Sequence, residues 1–511
     1  MAEPGADSTT NLPAYMAVRH RGLLTLATMA AMIMQILDAT IANVALPHIQ
    51  SSLGANSESI NWILTSYIVS SAVMLPMLGW LTARFGQRKV FIASVVVFTA
   101  ASALCGLAQN IGQLVLFRVL QGVGGSFIAP LAQTIMLDIN RPEKRAKAMT
   151  IFSQGIMLGP IAGPVLGGYL TENFDWRWVF YVNVPIGIVA TLVLLSAMPR
   201  LETVPRRFDL FGWVLIAGGL AALQLMLDRG QSNDWFDSPE IVVWAALAIA
   251  GGWMFLVHMA TGRDPLFPRE LLHDRNLMLA LGFLFLIGLV MLSVMALLPT
   301  LLQSLYGYPA IDAGLLLTPR GFGVLATMGI ATALMKRIDV RFLIIAGLAI
   351  TALSLHMMSG WGPEMPRDQI ILSGFVQGLG LGMAFAPINI MALSTLPGRL
   401  RTDGASLLVL FRNVGSSVGI AVSSVLLARS VQINHAELSG NLTRTSLPID
   451  VDSVRRYGDL GDAGFTMLDG LINRQAVMIG YINDFHLMSL ACLVAIPAAL
   501  FLRKPPATAL A

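Results

Sequence analysis

Gln35-Ile36-Leu37-Asp38-Ala39-Thr40-Ile41-Ala42-Asn43-Val44-Ala45-Leu46-Pro47 sets one carboxylate, Asp38, in the middle of an apolar run covering residues 22–46. The run is long enough to cross a bilayer. A charge near its centre costs about 2.5–3.5 kcal/mol on insertion scales. A chain keeps such a group when it is paired, faces a wet cavity or takes up a proton. Solvation at an interface is the plain alternative. The apolar residues flanking Asp38 on both sides argue against it.

The surrounding chain has the same character. Of 511 residues, 55% are hydrophobic and only 12% charged, against about 25% charged in soluble proteins. The composition implies an all-α polytopic membrane protein. A net charge of +4 is modest, and no nucleic-acid partner is expected. Cys105 and Cys492 fall inside apolar spans and read as packing residues. His258, His356 and His486 are isolated. The sequence shows no phosphate-binding loop, nucleophile triad or metal cluster, so neither an enzyme nor a metal site is expected.

Fourteen apolar segments have the length of membrane spans: 22–46, 59–80, 90–108, 112–137, 148–171, 178–198, 209–228, 239–260, 276–303, 311–335, 341–360, 369–394, 403–428 and 480–502. They are numbered here as spans 1–14. The first follows Arg19-His20-Arg21 and is too long for a signal-peptide core, so it reads as an uncleaved span. Basic residues crowd one set of alternate loops, from Arg84, Arg88 and Lys89 to Arg399 and Arg401. The opposite short loops carry only Arg177, Arg229 and Arg367. The positive-inside rule then places both termini in the cytoplasm. An even span count agrees. The long loop 429–479 is polar with weak helix signals and falls on the far side.

Val119-Leu120-Gln121-Gly122-Val123-Gly124 in span 4 is echoed by Phe375-Val376-Gln377-Gly378-Leu379-Gly380 in span 12. An offset of eight spans makes spans 1–6 (22–198) one half and spans 9–14 (276–502) the other. Spans 7 and 8 (209–260) are then an inserted hairpin, with 1–21 and 503–511 as terminal segments. Two repeated bundles around a midplane site is a secondary-transporter architecture.

Span 5 carries Gly155, Gly159, Gly163 and Gly167, every fourth residue, with Pro160, Pro164 and Gly168 among them. The spacing lays a bare stripe on one helix face for close packing, and the prolines favour a bend. This stretch resembles the antiporter motif of drug exporters in the major facilitator superfamily. The opening motif Leu37–Pro47, Phe117–Gly122 in span 4 and Asp175–Gly187 at the entry to span 6 are similar to those of its fourteen-span EmrB/QacA-type drug:proton antiporters. Leu227-Asp228-Arg229-Gly230 and Tyr306-Gly307-Tyr308 look closest to the EmrB branch. The resemblance runs from about residue 20 to 503. It implies the major facilitator fold, with two six-helix bundles plus a two-helix insert.

It also implies proton-coupled multidrug efflux across a bacterial inner membrane by alternating access. Protons would be the coupling ion, with no other cofactor. An EmrA-type periplasmic adaptor and a TolC-type outer-membrane channel would be partners. The fold places spans 1 and 4 side by side, which makes Arg118 the partner expected for Asp38. Burial favours the neutral carboxyl and a nearby guanidinium favours the anion, so moving the pair can exchange a proton for substrate.

The other candidates are less specific. Gln35, Asn43, Asn61, Thr65, Gln121 and Asn389 are polar positions that can face a cavity or simply bond between helices. Arg320 and Arg412 sit near mid-depth in spans 10 and 13. Each would line the C-half cavity or pair with a carbonyl across the seam between halves, and two central cations would favour anionic or zwitterionic substrates. The loop with Gly79, Arg84, Gly86, Arg88 and Lys89 resembles the superfamily's cytoplasmic loop motif. Ala83 departs from it, standing where many members have Asp. An uptake symporter, an exporter of one endogenous metabolite and a polytopic enzyme or sensor remain the competing readings.

Overall fold

The computed structural model describes residues 18, 20–55, 57–156, 158–199, 206–335, 337–441 and 462–503, and every regular element among them is helical. Most of the terminal segments and the centre of the 429–479 loop lie outside these residues. So do the side chains of Asn61, Pro160 and Pro164.

Thirteen described helices are long and apolar enough to cross a membrane. The remaining span, span 5, comprises Pro142–Ile156 and Leu158–Asn173, with Met157 between them outside the described residues. Short polar residues start several spans by accepting a backbone N–H bond at the helix N-terminus. Asn110 does so for span 4 (2.9 Å to Gln113 N), Asp209 for span 7 (2.8 Å to Gly212 N) and Asp274 for span 9 (2.8 Å to Leu277 N). Span 1 runs over Arg21–Leu53, past Pro47, and ends at Gly54 with φ 61°. The expected stop at Leu46 is therefore too early. A proline interrupts one turn of a membrane helix, and neighbouring helices can re-satisfy the freed backbone.

Within each half the repeat is geometrical as well as sequential. A Cβ on Gly122 would lie 2.0 Å from Ser70 Oγ of span 2, and one on Gly124 would lie 2.7 Å from Phe98 N of span 3. The matching positions of span 12 behave alike. A Cβ on Gly378 would lie 2.0 Å from Arg320 O of span 10, and one on Gly380 would lie 2.5 Å from Thr351 N of span 11. Span 4 and span 12 thus each use one bare site against one neighbour and another two residues later.

The glycine stripe of span 5 is laid along span 1. Added Cβ atoms at Gly155, Gly159, Gly163 and Gly167 would meet Met29, Ile36, Thr40 and Val44, the closest at 2.0 Å from Thr40 Oγ1 for Gly163. Gly168 points into open space. Gly163→Ala is therefore expected to destabilise the protein by about 1–3 kcal/mol through overpacking. Gly168→Ala should leave it unchanged. Thermal unfolding of the two purified variants checks this.

The inserted hairpin touches both halves. Trp213 Nε1 of span 7 donates to Val73 O of span 2 (3.1 Å), and Gln224 Nε2 donates to Ser417 Oγ of span 13 (2.6 Å). Thr65 of span 2 hydrogen-bonds to Asp228 of span 7. The halves also meet directly at the end of the bundle that carries both termini. Gln154 Nε2 donates to Leu325 O (3.0 Å), Thr150 bonds to Thr332, and Arg401 pairs with Asp138 (3.3 Å).

At the opposite end, the described parts of the expected 429–479 loop are helical. Span 13 continues as one helix over Arg401–Asn441, and the helix containing span 14 begins at Asp462 and runs to Ala499. Each is about 60 Å long at 1.5 Å per residue, roughly twice the hydrocarbon thickness. The two helices bond to each other beyond the apolar segments through His435 Nε2–Asp469 Oδ1 (2.9 Å), and at the start of span 14 through Asn483 Nδ2–Ser430 Oγ (3.0 Å). Pairing of this kind supplies order that a polar composition does not reveal.

Candidate functional site

Asp38 and Arg118 meet in the interior of the N-terminal half. They are 0% and 1% exposed. Arg118 Nη1 donates to Asp38 Oδ2 at 2.7 Å and also to Gln121 Oε1 at 2.9 Å. Gln121 Nε2 returns a bond to Asp38 Oδ1 at 2.8 Å. Asn183 Nδ2, at the start of the main helix of span 6, donates to the same oxygen at 2.8 Å and to Ser102 Oγ of span 3 at 3.0 Å. Arg118 Nε donates to Ile63 O of span 2 (3.1 Å), and the guanidinium lies 4.5 Å from the Tyr67 ring centre. Five spans thus converge on one carboxylate.

The arrangement follows from local sequence. Arg118 and Gln121 are three residues apart and share a helix face. Gly122, beside them, lets span 2 approach closely enough for the Ile63 carbonyl and Tyr67 ring to reach Arg118. A buried ion pair persists only when its remaining donors and lone pairs are filled. Here the carboxylate accepts three hydrogen bonds.

The other candidates are more scattered. Gln121 is wholly buried in this network, so it belongs to the ion pair and not to an open cavity wall. Gln35 Nε2 donates to Gly125 O (2.8 Å), tying span 1 to span 4. Thr65 is taken up by Asp228. Asn43 is exposed and bonds Ala39 O of its own helix (3.2 Å). Asn389 is 4% exposed and bonds Phe385 O, again on its own helix (2.8 Å). Arg320 Nη2 donates to Met291 O (3.3 Å). That carbonyl is on span 9 of the same half, so the expected contact across the seam is not made by this residue. Arg412 is half-buried on span 13, and a Cβ on Gly288 would lie 2.2 Å from its carbonyl.

In the loop motif, Gly86 turns the chain with φ 85°. Arg84 and Lys89 are exposed, and Arg88 donates to Leu195 O. Gly79 has a different use. A Cβ there would lie 1.5 Å from Asp403 Oδ1 of span 13. Asp403 in turn pairs with Arg206, on the linker before span 7 (3.2 Å), and Arg206 Nη2 also donates to Leu266 O (2.9 Å). With Ala83 in place of the usual acid, an acid on the opposite half packs against the motif instead.

Several contributors escaped the sequence reading. Asn183 was visible only as part of a family motif, and Ser102 is one of many spans' serines. Asp403 and Asp138 lie at helix ends and drew no attention as sequence, yet each is paired with an arginine in the structure. Asp484, four residues into the apolar segment of span 14, is 2% exposed with its Oδ2 lacking a hydrogen-bond partner. Its proximity to the span boundary hid it.

Two helical bundles related by a repeat, a hairpin packed against both and an ion pair buried in one half are the build of a two-bundle membrane transporter. The sequence profile of the Major Facilitator Superfamily matches residues 28–420, and the chain belongs to that superfamily. It is not an enzyme family. The chain is 32% identical to the multidrug export protein EmrB of Haemophilus influenzae, over 95% of this chain and 96% of that protein. It is 31% identical to EmrB of Escherichia coli K12, over 95% of each. The fatty acid resistance protein FarB of Neisseria gonorrhoeae is 32% identical, over 94% of this chain and 96% of FarB. Among solved structures, the human organic anion transporter MFSD10 superposes with a TM-score of 0.60 at 12% identity, covering 94% of this chain and 99% of that one. The proton:xylose symporter XylE does so with 0.60 at 14% identity, covering 93% and 96%. At these identities the superpositions speak to the fold alone.

Proposed function

We propose that this protein exports amphipathic small molecules from the cytoplasm of a bacterial cell in exchange for protons. The carrying observation is the sealed Asp38–Arg118 pair, held by Gln121 and Asn183 and placed on the helix against which the glycine stripe of span 5 packs. The names of the EmrB relatives support export of multiple drugs. Asp38 is the proton carrier in this reading. As a carboxylate it fixes Arg118. Once protonated it no longer neutralises the guanidinium, and spans 2 and 4 are free to shift relative to span 1. Rocking of the halves then carries the change to the seam.

Charge distribution supports a cytoplasmic location for both termini. The contacts Gln154–Leu325, Arg401–Asp138 and Arg206–Asp403 then close the cytoplasmic side. An EmrA-type adaptor and a TolC-type channel complete the path in a double-membrane host. The test is transport in proteoliposomes carrying an imposed pH gradient. Substrate should move against proton flow, and nigericin, by collapsing the gradient, should stop it. Substrate moving in the same direction as protons would instead establish a symporter.

A further inference from the structure

Residues 227–235 close the inserted hairpin between span 7 (Leu210–Arg229) and span 8 (Pro239–Thr261), at the end opposite the termini. The turn is held from several sides. Asp234 and Trp235 each have φ 52°, and among the described residues no other non-glycine has a positive φ. Such conformations persist only where the surroundings over-determine them. Here Trp235 N donates to Gly230 O at 2.8 Å, and the indole covers Gly230, where an added Cβ would lie 2.7 Å from the ring. Arg229 pairs with Glu240 at the start of span 8 (3.3 Å), and Asn233 Nδ2 donates to the same carboxylate (3.0 Å).

This fixed end grips span 2. The Arg229 guanidinium lies 5.9 Å from the Trp62 ring centre, and Asp228 accepts a hydrogen bond from the buried Thr65 hydroxyl. Thr65 sits between Ile63, whose carbonyl accepts from Arg118 Nε at 3.1 Å, and Tyr67, whose ring centre lies 4.5 Å from the guanidinium. Ile63 and Tyr67 are four residues apart and share a helix face. At 3.6 residues per turn, Thr65 points about 200° away from each. One short segment of span 2 is therefore held from both sides, by Arg118 within the N-terminal half and by Asp228 from the hairpin. One turn before Asp228 on span 7, Gln224 Nε2 donates to Ser417 Oγ of span 13 at 2.6 Å. Residues four apart on a helix are neighbours, so span 7 bonds the N-terminal half and the C-terminal half from adjacent turns.

We propose that Asp228 and Gln224 are positioning residues of the proton-coupled step, and that they make span 7 a strut carrying movement of span 2 to the C-terminal half. The proposal rests on the export reading and assigns a part in it to a helix outside the two six-helix bundles. Asp228 does not touch Asp38 and carries no proton for it. When protonation of Asp38 releases Arg118, span 2 shifts, and the Thr65–Asp228 bond passes the shift to span 7 and on through Gln224 to span 13. With that bond gone, the shift is dissipated in span 2 and the halves rock without being driven.

Transport of ethidium by the full-length protein in proteoliposomes tests this, as efflux driven by a pH gradient and as exchange of labelled for unlabelled ethidium without one. Asp228→Ala and Thr65→Val should each lower the maximal rate of driven efflux about tenfold, the factor for one lost hydrogen bond to a charged group. Exchange and the KM for ethidium should stay as in wild type. The double variant should lose no more than either single one, because both act through one bond. Asp228→Asn and Thr65→Ser keep that bond and should recover most of the rate, and Gln224→Leu should slow driven efflux while sparing exchange. Unchanged driven efflux in Asp228→Ala, additive losses in the double variant, or equal loss of driven efflux and exchange would overturn the proposal. Asp228→Asn as impaired as Asp228→Ala would assign the carboxylate to proton transfer and overturn it too. Wild type without gradient-driven ethidium export would sink the export reading and the proposal together, whereas normal wild-type export with unaltered variants sinks the proposal alone.

Discussion

Asp38→Asn is expected to lose pH-driven efflux completely while the protein still folds and binds substrate. Asparagine has nearly the same shape and keeps one oxygen to accept from Gln121, Asn183 or Arg118. It cannot take up and release a proton in the working range. Arg118 retains Ile63 O, Gln121 Oε1 and the Tyr67 ring, so the lost pairing costs stability without exposing the guanidinium. A cost of about 3–5 kcal/mol is expected, because the guanidinium stays buried without its anion. The measurement is efflux from proteoliposomes with and without a pH gradient, beside exchange of labelled for unlabelled substrate with no gradient. Exchange should persist and gradient-driven transport should vanish. Full gradient-driven transport in this variant would remove Asp38 from the mechanism.

Arg118→Met should cost stability for the opposite reason. It leaves Asp38 buried with no cation. Breaking one side of a buried pair costs about 3–5 kcal/mol, partly relieved when the orphaned carboxyl takes up a proton. Transport should fail because Asp38 then has no guanidinium to exchange for a proton. The double variant Asp38→Asn, Arg118→Met should be more stable than Arg118→Met alone, since no charge remains to be neutralised. Arg118→Lys should restore little, because an ammonium lacks the planar fork that serves Asp38, Gln121 and Ile63 together. Thermal unfolding of the four proteins in one detergent decides this. A double variant no more stable than the single one would mean that the pair is not energetically coupled.

Much of this architecture was legible because membrane spans announce themselves by length and composition. The repeat in spans 4 and 12 was readable because the same small residues solve the same packing problem twice. Asp38 and Arg118 stood out because charges inside apolar runs are costly and need partners. Asn183 and Ser102 did not, since a neutral polar residue in a span usually bonds within its own helix, as Asn43 and Asn389 do. The acids at helix ends were passed over for a related reason. Asp403 draws no attention as sequence, and only the approach of Gly79 and Arg206 from distant segments buries it. The helical run through 429–441 and from 462 was hidden because mutual support between two polar helices leaves no apolar periodicity.

That helical pair behaves as a lever. It is continuous with spans 13 and 14, both in the C-terminal half, and its two arms, 429–441 and 462–479, extend about 20 and 27 Å beyond the apolar segments at 1.5 Å per residue. A rigid arm of that length moves its tip by about half an ångström for each degree its base tilts. In the rocking cycle proposed above, a tilt of about ten degrees would sweep the tip by about 4 Å. Under that proposal, whatever touches the arm would feel the transport cycle as mechanical displacement, without contacting the substrate.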